Sequence, residues 1–572
     1  MAEFENQKFD YIIVGGGSAG CVVASRLSER SRNKILLLEA GEDFIPGTEP
    51  VEIQDTFAGT AHSNPRFTWR QTVTFAPRPF NAPDQRKKVR YAQGHVIGGG
   101  SSINGMISIR GLPSDYADWV ARGARGWGWD DVLPYFKKQE TDVDFDGPLH
   151  GKDGPITVRR VKEDRWPGLV TGFMQAAEEE GWRNLQDKNG VFEDGYFPIA
   201  VANEDGRRKS TATGYLTPEV RTRPNLDILG EAQVERILFS GTRVTGVRVH
   251  RRGEVFNIQA NEVIVSSGSL HSPALLLRSG IGPAAELAEC GIDVVAHRAG
   301  VGKHLMEHPG VNFGCYMKPQ YRLPADLRSS QYAGVRWSSG LEGCPAGDMY
   351  MIPTNKSAWH DIGKRLGILM MWVNKSYSTG EVRLNPANPM AEPDVDFNMC
   401  SDPRDMERLK IAVRRMTRFK DRAPLKERYS DVFPISFSDR ARRYAVYNFS
   451  HKFQTWVAGK LMDASGPMRR TLIKSLIADG PTIADLAQDD SVLTEWIHAS
   501  VVGHYHASCS NRMGAPDDPL AVTDPSARVY GIEGLRVADA SIMPAVPCAN
   551  TNFPTIMVGE KVAGTILAEG GA

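Results

Sequence analysis

The sequence predicts an α/β protein, α+β overall, in which a unit with a buried parallel sheet is joined to a second, strand-rich unit. Near the start, the short apolar run Tyr11–Val14 ends in closely spaced glycines and is followed by helix-like apolar spacing. Residues 225–265 alternate apolar and polar side chains between glycine turns, which predicts paired strands. With 572 residues the chain is too long for a single hydrophobic core, so two or more domains are expected.

Three glycines after the first strand give the strongest local signal. Gly15, Gly17 and Gly20 have the spacing G-x-G-x-x-G, and Glu39 follows nineteen residues later, at the end of the apolar run ILLLEA. In a Rossmann-like dinucleotide site, such glycines allow a tight turn, close approach of a pyrophosphate and helix packing, while the acid holds ribose hydroxyls. An ordinary strand–turn–helix is the alternative, but here the strand, the helix and the acid all have the expected positions around the glycines. An acid at position 39 favours FAD or NAD over NADP.

Charge and composition argue against several classes of protein. The formal net charge is +0, so no global field would attract nucleic acid or an anionic membrane. No apolar run reaches about 18 residues, and the first residues, MAEFENQKFD, are polar, so we expect neither a membrane span nor a signal peptide. Seven scattered cysteines without a C-x-x-C pair predict reduced thiols and a cytoplasmic location.

A second glycine-rich stretch follows an irregular region. Residues 43–90 are rich in proline, threonine and arginine without periodicity, which predicts an irregular excursion. Residues 94–105, GHVIGGGSSING, then place three consecutive glycines and two serines before an apolar run. Such a loop lets the backbone approach a flat or anionic group closely. A flexible surface loop is the alternative interpretation.

Together, the first fingerprint and the stretch GGGSSINGM resemble the glucose–methanol–choline (GMC) flavin oxidoreductases. The resemblance implies a Rossmann-like FAD-binding domain in which this loop lies along FAD, near the isoalloxazine ring. Some members attach the flavin covalently through a histidine of the loop, and Ile103 at that position implies non-covalent FAD. The implied cofactor-binding residues are Gly15, Gly17, Ser18, Ala19, Gly20, Glu39, Ala40, Val96, Gly99, Ser101, Asn104, Gly105, Met106, Val234, Asp539, Ala540, Asn550, Thr551 and Asn552.

Residues 268–282, GSLHSPALLLRSGIG, are similar to the second signature of the same family. Read locally, this stretch predicts a strand that ends at Gly268, a cap at Ser272 and a helix that opens at Pro273 and closes at Gly280.

Three histidines outside the C-terminal region are not assigned to catalysis or metal binding. His271 lies in the predicted cap, where the family's signature packs against FAD. His304 and His308 have the i, i+4 spacing of a helical metal pair, but the HExxH pattern is absent and no third ligand is evident. No metal is therefore expected.

The middle of the chain predicts a substrate-binding domain, an antiparallel sheet backed by helices. LGILMMWV and PDVDFNM predict strands, and DPRDMERLKIAVRRMTRF predicts a helix capped by Asp402. The stretches WVNKSYSTG and EPDVDFNMCSDPRD most resemble the 5-hydroxymethylfurfural oxidase branch of the family. The resemblance implies these domain boundaries: 1–160, 214–308 and 500–572 for a discontinuous FAD-binding domain, and 161–213 and 309–499 for the substrate-binding domain.

Two histidines in a glycine- and serine-rich turn near the C-terminus are candidate bases, because imidazole titrates near neutral pH. From the residues alone, His504 and His506 remain alternatives, since both would share one face of a strand. In the GMC family the catalytic histidine stands eight residues before the glycine of R-M-G, which implies His506. Its partner stands ten residues before a glutamate near the last helix, which implies Asn550 and a His–Asn variant.

Four further residues surround these two in the expected site. Cys509 could be a nucleophile, but a small-residue replacement in the turn explains it better. Asp539 is implied at the diphosphate or ribityl end of the flavin, although its stretch VADASIMP also fits a strand-end turn. Trp372 and Tyr505 are the expected substrate contacts, because their rings are compatible with a flat substrate.

The resemblance implies FAD-dependent oxidation of a primary alcohol, aromatic or furanic by the branch, to the aldehyde. Further oxidation to the acid, through the aldehyde hydrate, stays open. Hydride would pass to flavin N5 while His506 takes the hydroxyl proton, Asn550 positions the oxygen atom, and electrons go to oxygen. The alternatives are a dehydrogenase with a quinone-type acceptor, a redox-neutral lyase, and a flavin-binding structural or sensor protein. No nucleic acid or membrane partner is expected. The oligomeric state stays open, with a homodimer as one alternative.

Residues 438–474 resemble the family least. They are basic and carry an apolar stripe at helical spacing, which predicts an amphipathic helix from Ser438-Asp439 to Gly466-Pro467. Three interpretations stay open: the stripe packs on its own domain, it forms a lid that touches a neighbouring subunit, or it binds an anionic membrane. The stripe consists of Val446, Phe449, Phe453, Trp456 and Leu461.

Overall fold

Two large sheets organise the chain and confirm the predicted class, α/β and α+β overall. One is mainly parallel and the other antiparallel, and each has its own hydrophobic core. The computed structural model describes Phe4, residues 7–76, residues 87–435, Tyr444, residues 447–478 and residues 480–570.

The mainly parallel sheet forms around the predicted first strand, Lys8–Val14. That strand pairs in parallel with Ile35–Leu38 on one side and with Glu254–Val265 on the other. All four residues of Ile35–Leu38 are buried, as expected for a parallel strand covered on both faces. The order across this sheet is Leu226–Leu229, Ile35–Leu38, Lys8–Val14, Glu254–Val265, Arg243–Arg251 and Ala232–Ser240, with Leu535–Val537 also paired to Glu254–Val265.

The antiparallel sheet confirms the predicted strand-rich unit. The predicted strand in LGILMMWV is Leu366–Val373, and the helices Gly168–Glu179 and Pro403–Phe419 pack against the sheet. The predicted cap of the second helix is present, since the Asp402 carboxylate accepts the Arg404 N–H at 2.9 Å. The order is Tyr429–Ile435, Pro309–Met317, Leu366–Val373, Met349–Thr354, Ala333–Trp337 and Gly195–Pro198, with Val502–Gly503 also paired to Pro309–Met317.

Smaller sheets and short helices complete the fold, some of them in the region predicted to be irregular. Residues 43–90 contain the helices Val51–Gln54 and Gly59–Ser63 and two short strands. The smaller sheets contain Lys303–Leu305, Gly380–Arg383, Asp394–Asp396, Thr72–Thr74 and Lys88–Arg90; Glu140–Asp142, Ile156–Arg159, Val201–Glu204 and Arg207–Arg208; and Ile281–Gly282 with Ala296–His297. The other helices are Gly20–Leu27, Gly100–Ile103, Pro113–Ala121, Trp129–Gln139, Glu163–Arg165, Thr211–Tyr215, Pro218–Arg221, Gly268–Arg278, Ala284–Glu289, Pro319–Tyr321, Ala423–Lys426, Phe449–Ala464, Gly466–Leu476, Ile483–Gln488, Asp490–Ser500, Ala540–Ile542 and Asn552–Glu569.

The prediction for the second signature is wrong in its helix start. The helix is Gly268–Arg278, so it begins five residues before Pro273, and Ser272 lies inside it rather than at its cap. A proline inside a helix removes the hydrogen bond to the carbonyl four residues earlier. Here the carbonyl of Ser269 accepts the Ser510 hydroxyl at 2.6 Å instead. This long-range replacement explains why the helix tolerates Pro273.

The interpretation that the apolar stripe packs on its own domain is also wrong. The helix runs Phe449–Ala464, and the stripe residues on it are exposed, Phe449 by 82% and Trp456 by 48%. The buried residues of the helix are Thr455, Gly459 and Met462 instead, and Gly459 lies against the Arg365 guanidinium. Gly466-Pro467 ends this helix as predicted and opens the next. The predicted start at Ser438-Asp439 is wrong, because Asn448 caps the helix and its side chain accepts the His451 N–H at 2.7 Å. Ser438, Asp439 and Val446 themselves lie outside the described residues.

The predicted domain boundaries remain a prediction. Across the described ranges, no helix is both long enough and apolar enough to cross a lipid bilayer.

Candidate active site

A cavity of about 790 Å³ connects the two large sheets. One end is lined by Glu39, which directly follows the strand Ile35–Leu38, and by Val234 of the strand Ala232–Ser240. The other end is lined by Trp372, His506 and Asn550. An elongated cavity whose two ends carry different chemistry fits a dinucleotide at one end and a small substrate at the other.

Backbone glycines form the dinucleotide end. Gly15 has a φ of +104°, and a Cβ at Gly20 would lie 1.9 Å from the Gly15 carbonyl oxygen, so both positions require glycine. A Cβ at Gly99 would lie 2.8 Å from the Gly17 Cα, so the two glycine-rich loops meet backbone to backbone. At Gly17 itself the nearest atom to a Cβ is 3.7 Å away, which leaves space there for a ligand. This cradle fits a pyrophosphate at a helix N-terminus.

Two carboxylates are fixed by backbone donors at the same end. The Glu39 carboxylate accepts the Gly16 N–H at 2.8 Å and the Gly41 N–H at 2.7 Å. Asp539 accepts the Gly268 N–H at 2.9 Å, and burial raises the pKa of both carboxyls. Both Glu39 oxygens and Oδ1 of Asp539 accept one hydrogen bond each, so each of these three atoms can still receive a ribose or ribityl hydroxyl. The other Asp539 oxygen, Oδ2, accepts from both Gly268 and Ser272.

Most of the expected cofactor-binding residues line this cavity. Four do not: Gly20 packs against Gly15, and Val96, Ser101 and Met106 lie behind the lining. Those that line it are Gly15, Gly17, Ser18, Ala19, Glu39, Ala40, Gly99, Asn104, Gly105, Val234, Asp539, Ala540, Asn550, Thr551 and Asn552.

His506 is bonded through both ring nitrogens at the other end. Its Nε2 lies 2.9 Å from the Asn550 amide nitrogen, and its Nδ1 lies 2.8 Å from Nδ1 of His308. The Asn550 amide nitrogen only donates, so Nε2 of His506 is the acceptor and carries no proton. The Nδ1 proton of His506 is therefore donated to His308, which fixes the tautomer with a bare Nε2 facing the cavity. Burial keeps the pKa of His506 well below 6.5.

A buried carboxylate holds the histidine pair. Glu307 accepts the backbone N–H of His308 at 2.7 Å and that of His506 at 2.8 Å, and it also accepts the Tyr91 hydroxyl. Burial raises the pKa of Glu307 to about 7, while these donors act in the opposite direction. Segments almost 200 residues apart are thus aligned by one side chain.

The remaining predicted site residues also reach the cavity. The rings of Trp372 and His504 lie 4.5 Å apart and tilted, and Trp372 Nε1 and His504 Nε2 are buried without a hydrogen-bond partner in the described part of the chain. Burial lowers the pKa of His504 to about 3. Tyr505 packs against His62 and Tyr91 at 4.6 and 4.9 Å. Cys509 is fully buried, and burial raises its pKa to about 12, which does not suit a nucleophile.

The geometry does not favour a metal at the histidine pair. His304 and His308 are not on a helix, because Lys303–Leu305 is a strand, so their i, i+4 spacing has no metal-binding meaning. The two Nδ1 atoms of His308 and His506 share a hydrogen bond at 2.8 Å, closer than two imidazoles bound to one zinc ion at about 2.0–2.1 Å each. A second cluster, Glu140, Asp142 and His150, is neutralised by arginines bonded to both carboxylates.

Sequence reasoning missed Glu307 and His308 as neighbours of His506. The stretch VGKHLMEHP carries both residues, but their pairing with residues near 506 depends on strands brought together by the fold. Two basic residues of the cavity, Arg90 and Lys356, were also missed, because nothing in the local sequence marks them as lining a cavity.

Comparison with known proteins agrees with this arrangement over nearly the whole chain. Residues 9–310 and 376–559 match the N- and C-terminal parts of GMC oxidoreductase. The 5-(hydroxymethyl)furfural oxidase of Methylovorus sp. is 42% identical over 98% of this chain and 99% of its own. An oxygen-dependent choline dehydrogenase of Sinorhizobium fredii is 33% identical over 98% of this chain and 96% of its own. Among solved structures, pyridoxine 4-oxidase from Mesorbium loti has a TM-score of 0.80 at 25% identity, with 97% of this chain and 98% of that chain covered.

These matches confirm the predicted resemblance at both the sequence and the structural level. They extend across both large sheets and both ends of the cavity. The chain belongs to the GMC oxidoreductase family and is an FAD-dependent alcohol oxidoreductase.

Proposed function

We propose that this protein oxidises a primary alcohol, aromatic or furanic, to the aldehyde, with His506 Nε2 as the base. The observation that carries the proposal is the pairing of a bare Nε2 with the Asn550 amide, 2.9 Å apart, on the wall of the cavity. The hydrate of the aldehyde is itself a carbinol, so a second turnover at the same atoms would give the acid.

A hydroxyl that enters between His506 and Asn550 can use both. It donates its proton toward Nε2 and accepts a hydrogen bond from the Asn550 amide, so its oxygen atom is held while the proton leaves. Positioning of this kind converts a bound alcohol into a near-attack geometry. The proton is then carried on Nε2 of His506.

The surroundings of His506 keep its ring neutral before it takes the proton. Burial keeps its pKa low, so the imidazole is neutral and ready at neutral pH. The positive charge that develops is shared through Nδ1–H with His308, whose own pKa is lowered by burial to about 3, so that it stays an acceptor. The Glu307 carboxylate, bonded to the His506 backbone, adds a negative charge nearby when it is ionised.

The walls near the histidines support a flat apolar substrate. Ile352, Met370 and Trp372 line the cavity on two neighbouring strands. The relative from Methylovorus is named for a furan alcohol, and a ring of that type matches such walls.

The dinucleotide end fits FAD. The glycine cradle would hold the pyrophosphate, Glu39 the ribose hydroxyls, and Asp539 the diphosphate or ribityl end. When bound, FAD supplies the two-electron acceptor for the hydride of the alcohol. Ile103 offers no nucleophilic atom for a covalent link, so we propose non-covalent FAD.

Oxygen is the proposed final acceptor, with a quinone-type acceptor as the alternative. A redox-neutral lyase is a second alternative, since a base beside a bound hydroxyl also suits it. We keep a cytoplasmic location and a homodimer as further proposals. Exposed stripe residues such as Phe453 and Trp456 form the kind of apolar patch that a subunit contact covers, while Gln454 and Thr455 on the same helix line the cavity as a lid would.

Acid precipitation tests the mode of cofactor attachment. We expect all yellow colour to move into the supernatant, because no side chain at position 103 can retain it. Colour that stays on the washed precipitate would contradict non-covalent binding.

A panel of alcohols mixed anaerobically with the holoenzyme tests the reaction class. Benzylic and furanic primary alcohols should bleach the flavin band, and admission of air should restore it. An unchanged spectrum with consumption of substrate would favour a lyase. Bleaching that only a quinone reverses would favour the dehydrogenase.

Replacement of His506 tests the base. We expect His506→Ala to lower kcat/KM by about 10²- to 10⁴-fold with FAD retained, because positioned proton transfer typically contributes that much. His504→Ala is the matched control and should lose much less, since His504 does not contact Asn550 or His308 by a hydrogen bond. The reverse order of effects would assign the base to His504.

Replacement of His308 tests the tautomer argument. His308→Leu removes the acceptor for Nδ1–H and should lower kcat/KM by about 10- to 100-fold, the value of one hydrogen bond to a charged group. His308→Gln keeps an acceptor oxygen and should recover part of the loss at equal FAD content. If glutamine performs no better than leucine, His308 has only a packing role.

A further inference from the structure

We propose that the substrate carries a carboxylate in addition to its hydroxyl, and that Arg90 is the residue that binds this carboxylate, with Lys356 as a second cation of the same cavity. The inference rests on the proposed alcohol oxidation and adds the charge of the substrate to it.

The charges that line the cavity are unevenly distributed. Among the described lining residues, the acids are Glu39 and Asp539, and both belong to the dinucleotide end. The cations are Arg90, Arg278 and Lys356. Arg278 is occupied, since it donates to two backbone carbonyls at 2.9 and 3.0 Å. The part of the cavity outside the dinucleotide end therefore has two cations and no described carboxylate.

Arg90 has little to bind within the described chain. Its guanidinium donates to the Thr68 hydroxyl, and no ion pair with a described carboxylate forms. A guanidinium has five N–H donors, so most of them are left for another partner. Burial lowers the pKa of Arg90, because a charge held away from water is unfavourable. A half-buried, unpaired arginine in a cavity is best explained by an anion that arrives with the ligand.

Arg90 also lies near the segment that carries the proposed base. It interacts with Tyr505, which directly precedes His506, and with His62, whose ring packs on Tyr505 at 4.6 Å. Arg90 and His506 thus line one cavity, and Arg90 interacts with the residue next to the proposed base. The planar fork of a guanidinium matches a carboxylate with two parallel hydrogen bonds.

Lys356 extends the positive wall. Its ammonium lies 3.7 Å from the centre of the Phe57 ring, and it forms no described ion pair. The acid that acts on it, Asp55, is bonded to Arg328 at 3.0 Å and to the Phe57 N–H at 3.0 Å, and does not line the cavity. Burial lowers the pKa of Lys356 to about 8, so it remains mostly charged at neutral pH.

The histidines of the cavity do not change this balance. Burial lowers the pKa of His62 and His360 to about 4, so both are neutral at pH 7. A cavity lined by one sign of charge attracts ligands of the opposite sign and speeds their entry at low salt. The expected substrate class is therefore a hydroxymethyl-substituted aromatic or furanic carboxylate.

Binding of a non-reacting anion tests the inference without turnover. Benzoate and neutral benzamide are titrated into the holoenzyme, and the flavin absorbance difference gives the Kd. We expect benzoate to bind more tightly than benzamide, and Arg90→Met to weaken benzoate by about 10- to 100-fold with benzamide unchanged. Lys88→Met is the matched control, because Lys88 lies on the same strand but is exposed and bonded to Asp394.

Turnover supplies the second measurement. The ratio of kcat/KM for 4-(hydroxymethyl)benzoate over 4-(hydroxymethyl)benzamide should exceed one, fall with added salt, and collapse in Arg90→Met. If Arg90→Met is insoluble, Lys356→Met and the salt dependence of the unaltered enzyme carry the test. We expect Lys356→Met to weaken benzoate binding less than Arg90→Met would, and to leave benzamide binding unchanged.

Two results would overturn the inference. One is equal binding of benzoate and benzamide by the unaltered enzyme. The other is loss of FAD in Arg90→Met with equal effects on both ligands, which would assign Arg90 to the cofactor. If no alcohol bleaches the flavin while benzoate binding still depends on Arg90, the proposed oxidation fails and the anion site stands.

Discussion

The site depends on one buried carboxylate, Glu307. It accepts the backbone N–H groups of His308 and His506, and it removes the cost of leaving those donors unpaired in a dry interior. Its own burial is costly, as its raised pKa indicates, and the Tyr91 hydroxyl offsets part of that cost. Because these bonds fix both backbones, the Nδ1 atoms of the two imidazole rings lie 2.8 Å apart. The direction in which His506 presents its lone pair follows from this constraint.

The fold places different groups of residues at the two ends of one cavity. The glycine cradle and two backbone-held carboxylates occupy the end where a dinucleotide fits. The antiparallel sheet supplies the apolar walls at the other end, and the helix Phe449–Ala464 adds Gln454, Thr455 and Ala458 to the cavity wall. In the proposed function, substrate and cofactor are recognised by different sheets, and the histidine pair lines the same cavity between them.

Whether a feature of the fold or the site could be predicted from the sequence depends on how far apart its residues lie in the chain. The glycine spacing, Glu39 and the Asp402 cap are local patterns, and the corresponding elements formed as predicted. The start of the helix at Gly268 was missed, because the tolerance for Pro273 comes from Ser510, 241 residues away. His308, Arg90 and Lys356 were missed for the same reason, since their role depends on neighbours distant in sequence. The apolar stripe at residues 449–461 was read correctly as a helix, but periodicity does not tell which face meets the protein.

The central claim is that the fold presents His506 with its proton on Nδ1 and a bare Nε2. Nitrogen-15 NMR of the holoenzyme with labelled histidine, assigned by comparison with His506→Ala, measures this directly. We expect a protonated Nδ1 and an unprotonated Nε2 that persist as the pH falls through 6.5, since burial lowers the pKa of the ring. A proton on Nε2 at neutral pH, or a cationic ring, would contradict the account.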